Sequence, residues 1–171
     1  MKSDNNIHKF KKSDNDISLS SRGEVRIINI ALTQKASRNI DILSKYFDSD
    51  VFDTIEFIEA IKQLSISSKF TKIRILIKDS EPMTKNGHRV IELIQQLTSS
   101  IEVRKISEDY KSYNEAFCLY DGKGVIYLHY ADRYDGFANF DRPRLATELS
   151  NFFNEVWEHS SADSNLRRLY I

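Results

Sequence analysis

The chain has 171 residues, with 25 Lys and Arg against 25 Asp and Glu, one cysteine, five glycines and two prolines. A neutral balance excludes a global field driving the protein onto nucleic acid or an anionic membrane, so any such binding needs a local patch. One cysteine excludes an internal disulfide framework, the scarcity of glycine leaves no phosphate loop of the GxxxxGK[ST] kind, and no signal-peptide core or bilayer-length apolar run is found, which predicts a soluble cytoplasmic protein without membrane insertion.

The opening MKSDNNIHKFKKSDNDISLS is polar, and its few large apolar groups follow no period. It predicts a mobile polar tail over residues 1–22, with one folded domain over residues 23–171. From Glu24, the spacing of Ile27, Ile28, Ala31, Leu32 and Ala36 predicts a helix with one buried stripe. NIDILSKY, residues 39–46, alternates and is short, as a strand would be. Asp50 then caps a second helix carrying Ile55, Ile58, Ile61 and Leu64. KIRILIKD, residues 72–79, has the β-branched apolar centre of a strand covered on both faces. Pro82 ends it, Thr84 caps the next element, and Val90, Ile91, Ile94 and Leu97 predict a third helix before the strand IEVRKI, residues 101–106. Two apolar runs then fold about the turn DGKG within residues 113–132. Pro143 opens a long helix striped by Leu145, Leu149, Phe152, Phe153, Val156 and Trp157. This order predicts an α/β fold with an antiparallel addition.

On the first hairpin strand, Asn114, Ala116, Cys118 and Tyr120 share one face, while Glu115, Phe117 and Leu119 share the other. With this order of elements, NEAFCLYD and the following LHYAD resemble the phospholipase D superfamily. Its motif HxKx4D lies on a strand entering a turn and is followed by a strand bearing GSxxN. Asn114 stands at the histidine, Ala116 at the lysine and Asp121 at the aspartate. Leu128 and His129 stand at the Gly-Ser pair, and Asp132 at the asparagine. The stretch continuing to LSNFFNEVWEHS is similar to a group of bacterial phospholipase D-like domains without an assigned activity. The resemblance implies a phospholipase D-like mixed β-sheet flanked by helices on both faces in a single domain. In that family the histidine attacks phosphorus and the lysine neutralises the phosphate oxygens. An amide is no activated nucleophile and alanine has neither charge nor donor, so the usual reaction cannot run here. A single-unit member further implies a homodimer, with the faces around Asn114 and His129 turned toward a twofold axis.

Other residues are candidates to stand in for the missing pair. His129 is either a relocated nucleophile or an outward-pointing surface histidine, and imidazole without a charge partner favours the second. His88 starts the third helix, where backbone N–H groups with Lys85 and Arg89 either bind an anion or are simply solvated. Cys118, flanked by Phe117 and Leu119, reads as a buried small apolar residue. Asp132, Asp135, Asn139 and Asp141 could gather around Ca²⁺, but they lack EF-hand spacing and a polar loop is the simpler reading, so no metal or other cofactor is assigned. The basic stretch HKFKK and the pair Arg167 and Arg168 are short and offset by nearby Asp, which makes nucleic acid a secondary expectation. Two functions remain. The leading one is a non-catalytic binding or regulatory module whose degenerate pocket holds a phosphate-containing ligand or nothing. The alternative is a phosphodiesterase or phosphoryl-transfer enzyme using His129, His88 and Asp121, which requires these groups to converge in one cleft.

Overall fold

The computed structural model describes residues 10–163 and Leu166. Strand Ile17–Leu19 (β1) leads into helix Arg22–Lys35 (α1), whose first turn is closed by the Ser21 hydroxyl accepting from the Glu24 N–H. Strand Asn39–Ser44 (β2) is followed by the short helix Ser49–Phe52 (α2), capped by Asp48, and by Ile55–Ser67 (α3), capped by Thr54. Then come Lys72–Ile77 (β3), Glu81–Asn86 (α4), Arg89–Gln96 (α5) and Ile101–Lys105 (β4). The hairpin Ala116–Tyr120 (β5) and Gly124–Leu128 (β6), strand Gly136–Asn139 (β7), helix Pro143–Glu158 (α6) and strand Ser161–Ala162 (β8) complete the order.

Among the described residues, eight strands form one mixed sheet in the order β1-β7-β6-β5-β2-β3-β4-β8. Strands β2, β3 and β4 run parallel, whereas β5 joins β2 antiparallel and carries the hairpin and β7 outward. Side chains alternate along each strand, so one sheet builds two cores. Ile40, Ile42, Ile75, Cys118 and Ile126 pack beneath α1, α3 and α5. Leu43, Leu76, Phe117, Leu119 and Tyr127 pack against Leu149, Phe153 and Trp157 of α6. Helices therefore cover both faces, as the resemblance implied.

Several local expectations change. Of the tail expected over residues 1–22, residues 1–9 lie outside the described residues, while β1 pairs antiparallel with β7 and buries Leu19. Beside it, the Asp16 carboxylate bridges Arg142 at 3.1 Å and accepts from the Asn139 amide at 2.9 Å. An edge strand with one inward residue leaves no periodic trace in a polar sequence. In α1 the buried face is Val25, Asn29, Leu32 and Thr33, and Ile27 is 65 % exposed. The stripe is rotated because the Asn29 amide is spent inside: its oxygen accepts from the Tyr120 hydroxyl at 2.6 Å. Asp50 lies within α2, so that the helix carrying Ile55, Ile58, Ile61 and Leu64 is capped by Thr54 instead, and Thr84 lies within α4, so that the capping of α5 falls to His88.

Candidate cleft at the degenerate motif

Ala116 and Leu128 face each other across the β5–β6 ladder, on the side covered by α1 and α5. With Cys118 and Ile126 they line a cleft of ≈ 330 Å³ walled by Phe47, Phe52 and Met83. The wall depends on an unusual backbone. Phe47 adopts φ 54, which is costly for a bulky residue, and its N–H is held by the Ser44 hydroxyl at 3.0 Å. That turn stacks Phe47 on Phe52 at 4.4 Å and sets it 5.0 Å from the His88 ring. Asp48, Asp132, Tyr134 and Arg22 also line the cleft. Arg22 is engaged by Asp48 at 3.1 Å and Asp50 at 2.6 Å, and the Tyr134 hydroxyl donates to Asp48. Burial raises the Tyr134 phenol to about 12, with the bond to Asp48 adding to the shift. Cys118 is buried as the sequence predicts, and desolvation pushes its thiol up to about 12.

His88 is the feature the sequence undervalued. It is 4 % exposed, lines the cleft, and its Nδ1 accepts from the Val90 N–H at 3.3 Å. Burial lowers its imidazole to about 4, against the opposing pull of Asp53, of a hydrogen bond to the Phe47 backbone and of Asp48, and with a smaller push from Arg89. It is a neutral helix cap, neither solvated nor cationic. The anion-binding alternative at Lys85, His88 and Arg89 meets groups already engaged: the Arg89 N–H donates to Asp53 at 3.2 Å, its side chain pairs with the same carboxylate, and exposed Lys85 pairs with Glu81 at 2.5 Å.

The remaining motif positions scatter. Asn114, which the resemblance sets at the histidine, lines a separate hollow with Asp109, Tyr113 and Phe152. Asp121 sits at the far end of β5, where its carboxylate accepts from the N–H groups of Ser37, Arg38 and Asn39 at 2.8, 2.8 and 3.0 Å. Partial burial would raise this carboxyl, but those bonds outweigh it and hold it below the ordinary value. His129 is half-buried, with its ring 5.5 Å from Tyr127 and 6.4 Å from Phe137. Tyr127 belongs to the core under α6, so His129 is placed with that face and not with the cleft. Only Ala116, Leu128 and Asp132 of the aligned positions meet in the cleft. The Ca²⁺ loop does not close either. Asn139 is spent on Asp16 and on the Asp141 N–H, and no His, Cys, Asp and Glu cluster suited to a metal occurs among the described residues. Arg167 and Arg168, and His8 and Lys9 of the basic stretch, lie outside the described residues. The cleft escaped the sequence because its walls come from three separate loops, and only Ala116, Leu128 and Asp132 carried a spacing signal.

A family model described as a domain of unknown function, DUF7931, matches residues 21–169. No curated protein matches the chain. Among solved structures, TrmBL2, an archaeal chromatin protein with a novel mode of DNA binding, is similar with a TM-score of 0.63 at 14 % identity over 90 % of this chain. The chain spans 56 % of that protein. Nuc from Salmonella typhimurium, a phospholipase D family member, matches with a TM-score of 0.57 at 14 % identity, over 85 % of this chain and 95 % of its own. Phosphatidylserine synthase from Haemophilus influenzae matches with a TM-score of 0.57 at 16 % identity, over 90 % of this chain and 40 % of its own. At such identities the likeness is one of fold. The mixed sheet between two helical layers is that of phospholipase D-like proteins.

Proposed function

The chain belongs to the family of domains of unknown function DUF7931, and from that premise, with the phospholipase D-like fold, we propose that it is a non-catalytic binding or regulatory module. The observation that carries this reading is the Ala116–Leu128 pair in the cleft: a methyl and an isobutyl group stand where the resemblance sets a lysine and the glycine of the Gly-Ser pair. Neither side chain can attack phosphorus or neutralise its oxygens. The alternative, an enzyme using His129, His88 and Asp121, loses support from their placement. His88 caps α5, His129 packs with Tyr127 and Phe137 on the α6 side, and Asp121 clamps the chain before β2 at the opposite end of the hairpin. General acid–base chemistry needs its groups within hydrogen-bond reach of one reacting atom.

TrmBL2 is described as binding DNA, so nucleic acid is a reading to weigh for this chain as well. The balanced charge argues against it, because non-specific DNA affinity comes chiefly from phosphate contacts. Homodimerisation and a cytoplasmic setting remain part of the proposal. No helix among the described residues is long and apolar enough to cross a membrane. The purified chain, incubated with bis(p-nitrophenyl) phosphate, is expected to release no nitrophenol above the blank. Turnover abolished by His129→Ala or His88→Ala would overturn the non-catalytic reading.

A further inference from the structure

We propose that the Asn86–Gly87 peptide is a site of spontaneous covalent modification, at which the Asn86 amide nitrogen is lost as ammonia and a carboxylate appears on the rim of the cleft. The inference is independent of what the cleft binds.

An asparagine side chain closes on the main-chain nitrogen of the next residue when nothing crowds that nitrogen, and glycine, without a Cβ, crowds it least. Five glycines occur in the chain, and Gly87 alone follows an asparagine. The structure leaves this pair open. Asn86 is the last residue of the six-residue helix α4, and Gly87 turns the chain out of it at φ 66 and ψ 95. Both are exposed, and a Cβ built at Gly87 meets nothing within 4 Å. Among the described residues the Asn86 amide has no hydrogen-bond partner to hold it away from the main chain. The end of so short a helix opens at small cost, which frees the Asn86 backbone to turn.

Two aspartates also precede glycines, and the structure blocks both. The Asp121 carboxylate accepts from the N–H groups of Ser37, Arg38 and Asn39, so it neither rotates onto Gly122 nor loses an oxygen as a neutral acid would. Gly136 lies in β7 in register with Leu128, and a peptide fixed in that ladder cannot turn toward Asp135.

The step balances with water as its one co-reactant. The Gly87 nitrogen attacks Cγ of Asn86, the N–Cγ bond forms as the Cγ–Nδ2 bond breaks, and the Gly87 N–H proton departs with that nitrogen as ammonia. The product is a cyclic imide. Water then opens it at either carbonyl, leaving aspartate or, with the main chain rerouted through Cγ, isoaspartate. Nothing is oxidised or reduced.

The position gives the change a consequence. Asn86, Gly87 and His88 line the cleft in succession, so the new carboxylate joins Asp48 and Asp132 there. The isoaspartate form also adds a methylene to the main chain just before His88, whose Nδ1 accepts from the Val90 N–H at 3.3 Å to cap α5. A lengthened approach displaces that cap.

The full chain is aged at physiological temperature in neutral phosphate buffer beside the free peptide MTKNGHRV, and ammonia release, peptide mass maps and enzymatic methylation of isoaspartate are followed. Conversion is expected at position 86 ahead of every other site, at a rate within about tenfold of the free peptide's. Asn86→Gln keeps the backbone and should abolish the label at this position. Gly87→Ala, whose added methyl crowds the attacking nitrogen, should slow conversion at least about tenfold. In the spectrum of the aged chain the Val90 amide should move with the isoaspartate fraction. Conversion more than about tenfold slower than in the peptide overturns the proposal, as does faster conversion at Asp121 or Asp135. An undiminished rate in Gly87→Ala overturns the cyclic-imide route, and a Val90 amide that stays in place overturns the link to the α5 cap. If Gly87→Ala does not fold, the peptide comparison and Asn86→Gln still decide.

Discussion

At the residue scale, His88 turns a capping choice into a pH dependence. A histidine whose folded value is about 4 binds its proton more readily when the chain is unfolded, where the ordinary value is 6.5. Between those values the unfolded state holds more protons, so stability is complete above about pH 6.5 and falls as the pH drops toward 4. The separation corresponds to roughly 3 kcal/mol at full protonation. Asp121 acts lower, because a carboxyl held below 3.8 contributes stability that is lost only as the pH falls through its own depressed value. Urea unfolding between pH 7.5 and 4.5 is expected to show the loss, and His88→Phe should flatten it. An unchanged slope in that variant would assign the acid sensitivity to other groups.

At the scale of elements, the β6–β7 contact is the tightest backbone approach at any glycine. A Cβ at Gly136 would sit 1.9 Å from the Tyr127 carbonyl oxygen, and backbone cannot rotate away as a side chain can. Gly136→Ala must therefore push β7 off β6, and β1 with it, since among the described residues β1 pairs with β7 alone. A loss of about 2 kcal/mol or more in unfolding free energy is expected. Gly23→Ala is the control. Its Cβ meets only the Arg26 guanidinium at 3.7 Å, and alanine suits a helix better than glycine. Equal unfolding midpoints for the two variants would show that the Gly136 contact is not a constraint. The same element scale explains why β1 was read as tail: its pairing with β7 lies more than a hundred residues away in sequence, beyond any local pattern.

At the scale of the molecule, the proposed homodimer makes a prediction about where the surface is sticky. The resemblance turns the neighbourhood of Asn114 and His129 toward a twofold axis, yet the large exposed apolar groups Ile27, Ile55, Ile66 and Phe70 lie on α1, on α3 and just beyond α3. Light scattering over about a hundredfold dilution is expected to give a dimer mass that Tyr130→Asp reduces to the monomer. A monomer at every concentration removes the dimer. Dissociation by Ile55→Asp but not by Tyr130→Asp would move the interface to the helical layer.

The sequence by itself determined the α/β class, most of the strands and helices and the faces of β5, because alternation and helical spacing record which side of each element is dry. It also carried the resemblance that sets Asn114 and Ala116 at the histidine and lysine of the family motif, since identity and spacing need no coordinates. Only the tertiary structure decided that Asn114 and Ala116 serve different hollows, that His129 belongs to the α6 side, and that His88 is a buried neutral cap. These outcomes depend on which loops meet over the strand ends. Phe47, Met83 and Leu128 are far apart in the chain, and their meeting is set by sheet order and helix packing, which no local periodicity encodes.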